Sequence, residues 1–118
     1  MLDWLKTVFR DVSSKKRCRV AVDAKGVSCT RPDGRVDAVN WSDLVVAGVE
    51  TTATGPFVED VYFYLEGPDY GFYVPQAADG TDELVRRLVE LPGFDVKTFA
   101  AAMSCTDNTR FVCWRKAN

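Results

Sequence analysis

The strongest nucleophiles in this 118-residue chain are four cysteines, at positions 18, 29, 105 and 113. Thiol or zinc chemistry built locally needs a close Cys-x-x-Cys pair, and no two of the four have that spacing. Cys18, Cys29 and Cys113 fall inside strand-like apolar runs and are expected to be small buried hydrophobes, whereas Cys105, in a loop after a helix, is expected to be the exposed one. Histidine is absent, which removes Ser-His-Asp and Cys-His hydrolases and the usual base at neutral pH. The glycines form neither a P-loop nor a dinucleotide fingerprint. Asp60, Asp69, Asp79, Asp82 and Glu83 offer hard oxygen ligands, but their spacing is not that of a calcium loop, and they read as turn and cap residues. Glu59 or Asp60 beside a tyrosine is the remaining acid–base pairing, and no motif supports it. The expectation is a chain without metal, cofactor or catalysis.

Two sets of residues suit recognition instead. Between Val61 and Val74 the apolar residues Val61, Phe63, Leu65, Phe72 and Val74 alternate with Tyr62, Tyr64 and Tyr73. If the first group faces a core, the three tyrosines form an outer patch, and tyrosine combines large contact area with a polar tip. The other reading has a helix covering these rings. Near the start, Trp4 and Phe9 share the apolar side of a helical pattern that runs into Lys15, Lys16 and Arg17, with Arg19 and Lys25 close behind. An amphipathic helix followed by cations fits an anionic membrane surface. The favoured reading is that the same helix covers an open edge or end of its own sheet.

These residues must be held by elements legible from periodicity. Residues 1–14 have helical spacing, and alternation takes over from Arg17. A turn at Ala24-Lys25 sets Val22 opposite Val27 and Val20 opposite Cys29, so that both strands are apolar on one side. Pro32-Asp33-Gly34 turns the chain into a strand over Arg35–Trp41, and Ser42-Asp43 bends it through a tight turn or one helical turn into Val45–Thr52. Val39 and Trp41 share a face, and Trp41 is expected to anchor the core. A loop after Thr54-Gly55-Pro56, expected to be mobile, leads to a hairpin of Asp60–Glu66 and Tyr70–Val74, with Tyr70, Phe72 and Val74 on one side. Thr81 is placed to cap a helix whose buried stripe is Leu84, Val85, Leu88, Val89 and Leu91; Leu91-Pro92-Gly93 stops it, and Asp95 caps a second through about Ser104. A last strand over 110–115 sets Val112 and Trp114 against Phe111 and Cys113, which predicts an inner strand or one covered by a helix.

The whole reads as one α+β domain over 1–118: an antiparallel sheet or half-barrel of six or seven strands, the β meander over 17–75, with an N-terminal helix and helices over 81–104 packed on it. The 47% hydrophobic and 27% charged residues are an ordinary globular balance. A net charge of −2 argues against a nucleic-acid binder, whose phosphate contacts need a basic excess. Asp3, Lys6, Arg10 and Asp11 interrupt the early apolar stretch, so no secretory signal is expected, and a reducing, cytoplasmic setting of bacterial type is.

A strand ending in Asn40-Trp41-Ser42-Asp43-Leu44, a following strand, an aromatic hairpin and a helix together resemble the small bacterial pleckstrin-homology-like proteins, over roughly Arg17 to Leu91. The second helix and last strand depart from that pattern. The resemblance implies a scaffold for binding peptides, proteins or lipids. Two functions are therefore expected in competition. One is a non-catalytic protein-interaction module, an immunity protein being one example, with Tyr62, Tyr64 and Tyr73 as contacts. The alternative is a peripheral membrane adaptor using Trp4, Phe9, Lys15, Lys16 and Arg17.

Overall fold

The computed structural model describes residues 18–52 and 61–117, and in them every strand runs antiparallel to its ladder partners. The strands are β1 (Arg19–Val22), β2 (Gly26–Thr30), β3 (Val36–Asn40), β4 (Val46–Thr51), β5 (Val61–Glu66), β6 (Gly71–Pro75) and β7 (Thr109–Arg115). Helices α1 (Thr81–Val89) and α2 (Val96–Met103) lie between β6 and β7. The N-terminal helix over 1–14, the basic residues Lys15, Lys16 and Arg17, and the expected mobile loop with Glu59 and Asp60 lie outside the described residues.

Two sheets result, ordered β1-β2-β3 and β6-β5-β4-β7, and they do not close on one another. The first hairpin has the expected register, Val20 opposite Cys29 and Val22 opposite Val27, because Asp23 Oδ1 accepts from the N–H groups of Lys25 and Gly26 and fixes the turn. The sheets join through a 3-10 turn at Trp41–Asp43, where the short polar side chains end β3. Inward residues of both sheets share one core. Cys18, Val20, Val27 and Cys29 meet Val49, Phe63, Leu65, Phe72 and Val74, with Leu44 buried at the junction. Helix α1 packs on β1 and sinks Leu84 and Leu88, and α2 packs on β4 and β7 with Phe99 stacked on Phe63 at 6.3 Å.

Several expectations are corrected. Trp41 is half-buried rather than interior: its Nε1 donates to Asp23 O at 2.9 Å, and the Arg87 guanidinium lies 4.5 Å over its ring. Gly80, not Thr81, stands at the start of α1, with φ of 92°; a Cβ there would also collide with Val20 O. Thr81 Oγ1 instead donates back to Gln76 O at 3.1 Å. Val89 is exposed at the end of its stripe. Strand β7 lies at the sheet edge beside β4 rather than inside, and α2 covers it, which is the second of the two arrangements expected; a bulge at Cys113 breaks its alternation, so Ala47 pairs with Trp114 and Gly48 with Val112. Trp114 therefore joins Phe111 against the core, its indole donating to Pro92 O at 2.8 Å. Asp95 caps α2 as expected, accepting from Thr98 N at 2.9 Å.

Candidate functional site

Because side chains alternate along each strand, the four-stranded sheet turns one set of residues away from the core and the helices. Register arranges them in rows: Val112, Gly48, Tyr64 and Tyr73 across one, and Arg110, Glu50, Tyr62 and Pro75 across the next. The three tyrosines expected to act together do come together, with Tyr73 edge-on to Tyr62 at 6.2 Å and to Tyr64 at 6.3 Å. Neither described helix covers them, since both pack on the other side of the chain's sheets.

Their exposures differ, and the difference decides their roles. Tyr73 is 44% exposed and Tyr62 half-buried, but Tyr64 is only 2% exposed. Glycine at position 48 removes the cross-strand side chain, so the Tyr64 ring lies over bare backbone and its hydroxyl donates to Phe111 O of β7 at 3.0 Å. Arg110 then lies on the ring, its guanidinium carbon 4.0 Å from the centroid, and reaches past it to an ion pair with Glu66. Tyr64 is thus the floor of the patch, and the expectation that it is an outward contact is corrected. Burial pushes its phenol pKa up. Tyr73 is also pushed up, first because its hydroxyl donates to Glu50 Oε1 at 2.8 Å. Both phenols stay protonated at neutral pH, and Arg110 is held cationic by its contact with Tyr64 and then Glu66. The face can therefore donate and accept hydrogen bonds and offer aromatic area. Gly48, Glu50, Glu66 and Arg110 were not singled out from sequence; a glycine amid β-formers was the available signal, and it needed a known strand pairing to be read.

The thiols form a different kind of cluster. Arg31 Nη1 donates to Cys18 Sγ at 3.6 Å, its Nε and Nη2 donate to Asp37 Oδ2 at 2.9 and 2.7 Å, and its guanidinium lies 6.0 Å from the Phe72 ring centre. Cys29 is fully buried, and desolvation pushes its pKa to about 12. Burial likewise takes Cys113 to about 11. These thiols are packing groups. Cys105 is the more accessible one, and its pKa is lowered, mainly by the Asp107 N–H donating to its sulfur at 3.4 Å.

The remaining candidates are dispersed. Arg19 opens β1 and Lys25 lies in the turn that ends it, so the described part of the basic group is spread along a strand. Asp69 lies in the β5–β6 turn, Asp79 makes an isolated bridge to Arg19, and Asp82 and Glu83 open α1. Among the described residues no three His, Cys, Asp or Glu side chains converge as metal ligands, and no helix is long and apolar enough to cross a membrane. Tyr70, expected on the same side as Phe72, stacks on it at 6.2 Å but is 53% exposed; its hydroxyl donates to Ala38 O at 2.6 Å and accepts from Ala38 N at 3.2 Å. Comparison with family models, curated proteins and solved structures finds no match for the chain.

Proposed function

We propose that the chain is a non-catalytic protein-binding module, built on a half-open scaffold of the pleckstrin-homology-like kind, that meets its partner through the outer face of β4, β5 and β6. The observation that carries this reading is the packing of Tyr64 between Gly48 and Arg110, because it presents Tyr62 and Tyr73 on a rigid floor. Aromatic groups held in one orientation lose little entropy on contact, and tyrosines with satisfied but reachable hydroxyls are typical interface anchors. The rim is polar and mixed in sign, with Glu50, Glu66 and Arg110, which favours a protein surface over lipid. The membrane alternative rests on Trp4, Phe9, Lys15, Lys16 and Arg17, and no described observation favours it.

Site-specific photocrosslinking in living cells tests the proposal. Benzoylphenylalanine at position 73 or 62 is expected to give one discrete protein adduct, and at exposed Asp33, on the other sheet's β2–β3 turn, none. Tyr73→Ala should remove the adduct formed from position 62 without changing the melting temperature. Adducts from position 33 alone, or none from any position, would remove the basis of the proposal.

A further inference from the structure

The outer edge of β3 holds an unused recognition element. Arg31 N donates to Arg35 O and Trp41 N to Lys25 O, which marks those residues as hydrogen-bonded pairs of the β2–β3 ladder. Alternation then makes Asp37 and Val39 bond toward β2, while Val36, Ala38 and Asn40 turn their N–H and C=O groups outward. Such groups two residues apart are the template to which an added strand pairs. At Ala38 the template is taken by the Tyr70 hydroxyl, which accepts from the N–H and donates to the carbonyl as a neighbouring strand would. The outward groups of Val36 and Asn40 have no partner among the described residues, and Val36 is 59% exposed.

A depression of about 330 Å³ runs along this edge, between Ala38–Asn40 and the Gly67–Tyr70 turn. A second, of about 310 Å³, continues from that turn to Tyr64 and Tyr73. Their charge is one-sided. Asp43 and Asp69 line the first, Asp69 and Glu66 the second, and no lysine or arginine lines either. Glu66 is paired with Arg110, but Asp43 and Asp69 form no ion pair among the described residues. Of the nearby cations, Arg31 is paired with Asp37 and Arg35 with Asp33, Lys116 donates to Ser42 O at 2.7 Å, and Lys25 lines a separate depression that meets Ala38, Val39 and Asn40.

Resting on the protein-binding reading above and naming its partner's chemistry, we infer that an extended basic segment of another protein adds as a strand to the free edge of β3. It displaces the Tyr70 hydroxyl from Ala38 and sets a lysine or arginine between Asp43 and Asp69. The tyrosine face adjoins this groove through Tyr64 and Tyr73, so the two form one continuous contact surface.

The inference is tested by panning a displayed library of random dodecapeptides on the full chain and counting recovery against Ala38→Pro. Because the Ala38 N–H points outward, proline there blocks strand addition without cutting the β2 ladder, and circular dichroism checks that the variant folds. Recovered peptides should alternate apolar residues with lysine or arginine and lose at least tenfold in affinity on Ala38→Pro. They should lose about tenfold on Asp43→Asn with Asp69→Asn, and gain several-fold on Tyr70→Phe, which removes the competing hydroxyl. Independently of any variant, a bound peptide should slow amide exchange at Ala38 and Asn40. No enrichment, peptides without basic residues, or binding without added protection at these amides would overturn the inference. Peptides that ignore Ala38→Pro but are lost on Tyr73→Ala would overturn it while leaving the tyrosine-face reading standing. A concentration-dependent dimer abolished by Ala38→Pro would put a second copy at the edge and likewise overturn it.

Discussion

Substituting Gly48 by alanine tests whether the tyrosine face rests where the packing places it. A Cβ at position 48 would lie 2.5 Å from the Tyr64 hydroxyl oxygen and 2.6 Å from its Cζ, and would overlap Phe111 O as well. Ordinary contact begins near 3.4 Å, so the ring must lift by on the order of 1 Å, and it cannot do so alone because Arg110 lies on its other side. Inserting a methyl into a packed site costs about 1–3 kcal/mol, and lifting the ring also removes the Tyr64–Phe111 hydrogen bond, at about 0.5–1.5 kcal/mol. Against this stands only the smaller backbone entropy of alanine, about 0.5–1 kcal/mol in favour of the variant. Strain wins, with a net loss of about 0.5–4 kcal/mol.

Urea unfolding followed by tryptophan fluorescence measures that loss. The cause is isolated by repeating Gly48→Ala in a Tyr64→Leu background, where the ring is gone and only the overlap with Phe111 O remains. The cost should then fall by about 1 kcal/mol, a coupling expected only between groups in contact. A Gly48→Ala chain as stable as the parent, or a cost unchanged in the leucine background, would refute the placement of the ring over Gly48 and remove the floor from the proposed contact face.

Trp41→Ala should cost about 2–3 kcal/mol in urea, less than the 3–5 kcal/mol of a fully buried aromatic, because the ring is half-buried and its larger contributions are the Asp23 O hydrogen bond and the Arg87 contact. Trp41→Phe should recover the packing but not the hydrogen bond. Thiol labelling at neutral pH without denaturant should be fast at Cys105 and slow at Cys18, Cys29 and Cys113; equal rates at all four would contradict their burial. Asp95 has its pKa lowered by the Thr98 N–H it caps, so its stabilising effect is present above the unfolded carboxylate value of about 3.9 and is lost as pH falls through the lower folded value. The melting temperature of Asp95→Ala should therefore lie below that of the parent at pH 7, with the gap closing below about pH 4. A gap that is constant with pH would mean that the charged cap contributes nothing.

How far the sequence could be read follows from the range of each interaction. The β1–β2 register was legible because a two-residue turn and apolar alternation fix it within a dozen residues, and Asp95 was legible as a cap because its partner is three residues on. Tyr64 was misread because what buries it, Gly48 and Arg110, lies on strands whose pairing no local pattern specifies. Trp114 was assigned to the wrong face because a bulge adds one residue and inverts a period-two pattern from there on. Tyr70 keeps the side read for it and stacks on Phe72, but it stands one residue ahead of β6, and its hydroxyl reaches across to β3, a partner 32 residues away that no local pattern gives.

The edges of the first sheet bear on function because they are closed in unequal ways. At β1 the closure is backbone to backbone: Val20 N donates to Asp79 O at 2.7 Å and Asp79 N to Cys18 O at 3.0 Å. In the second sheet, β7 is held similarly, with Asp95 N donating to Cys113 O at 2.8 Å. Opening either requires moving a chain segment whose neighbours are packed in the core or start a helix. At β3 the closing group is the hydroxyl of one half-exposed side chain, and a rotation of Tyr70 about χ1 uncovers the Ala38 N–H and C=O without moving any backbone. Side-chain rotation of an exposed residue takes picoseconds to nanoseconds, whereas segment opening requires local unfolding over microseconds or longer. The β3 edge is thus protected against indiscriminate pairing while at rest and reachable, at the cost of the Tyr70–Phe72 stack, by a strand that supplies the same two hydrogen bonds. The acidic groove beside it adds a charge requirement, so that a basic segment gains an interaction the tyrosine hydroxyl cannot match.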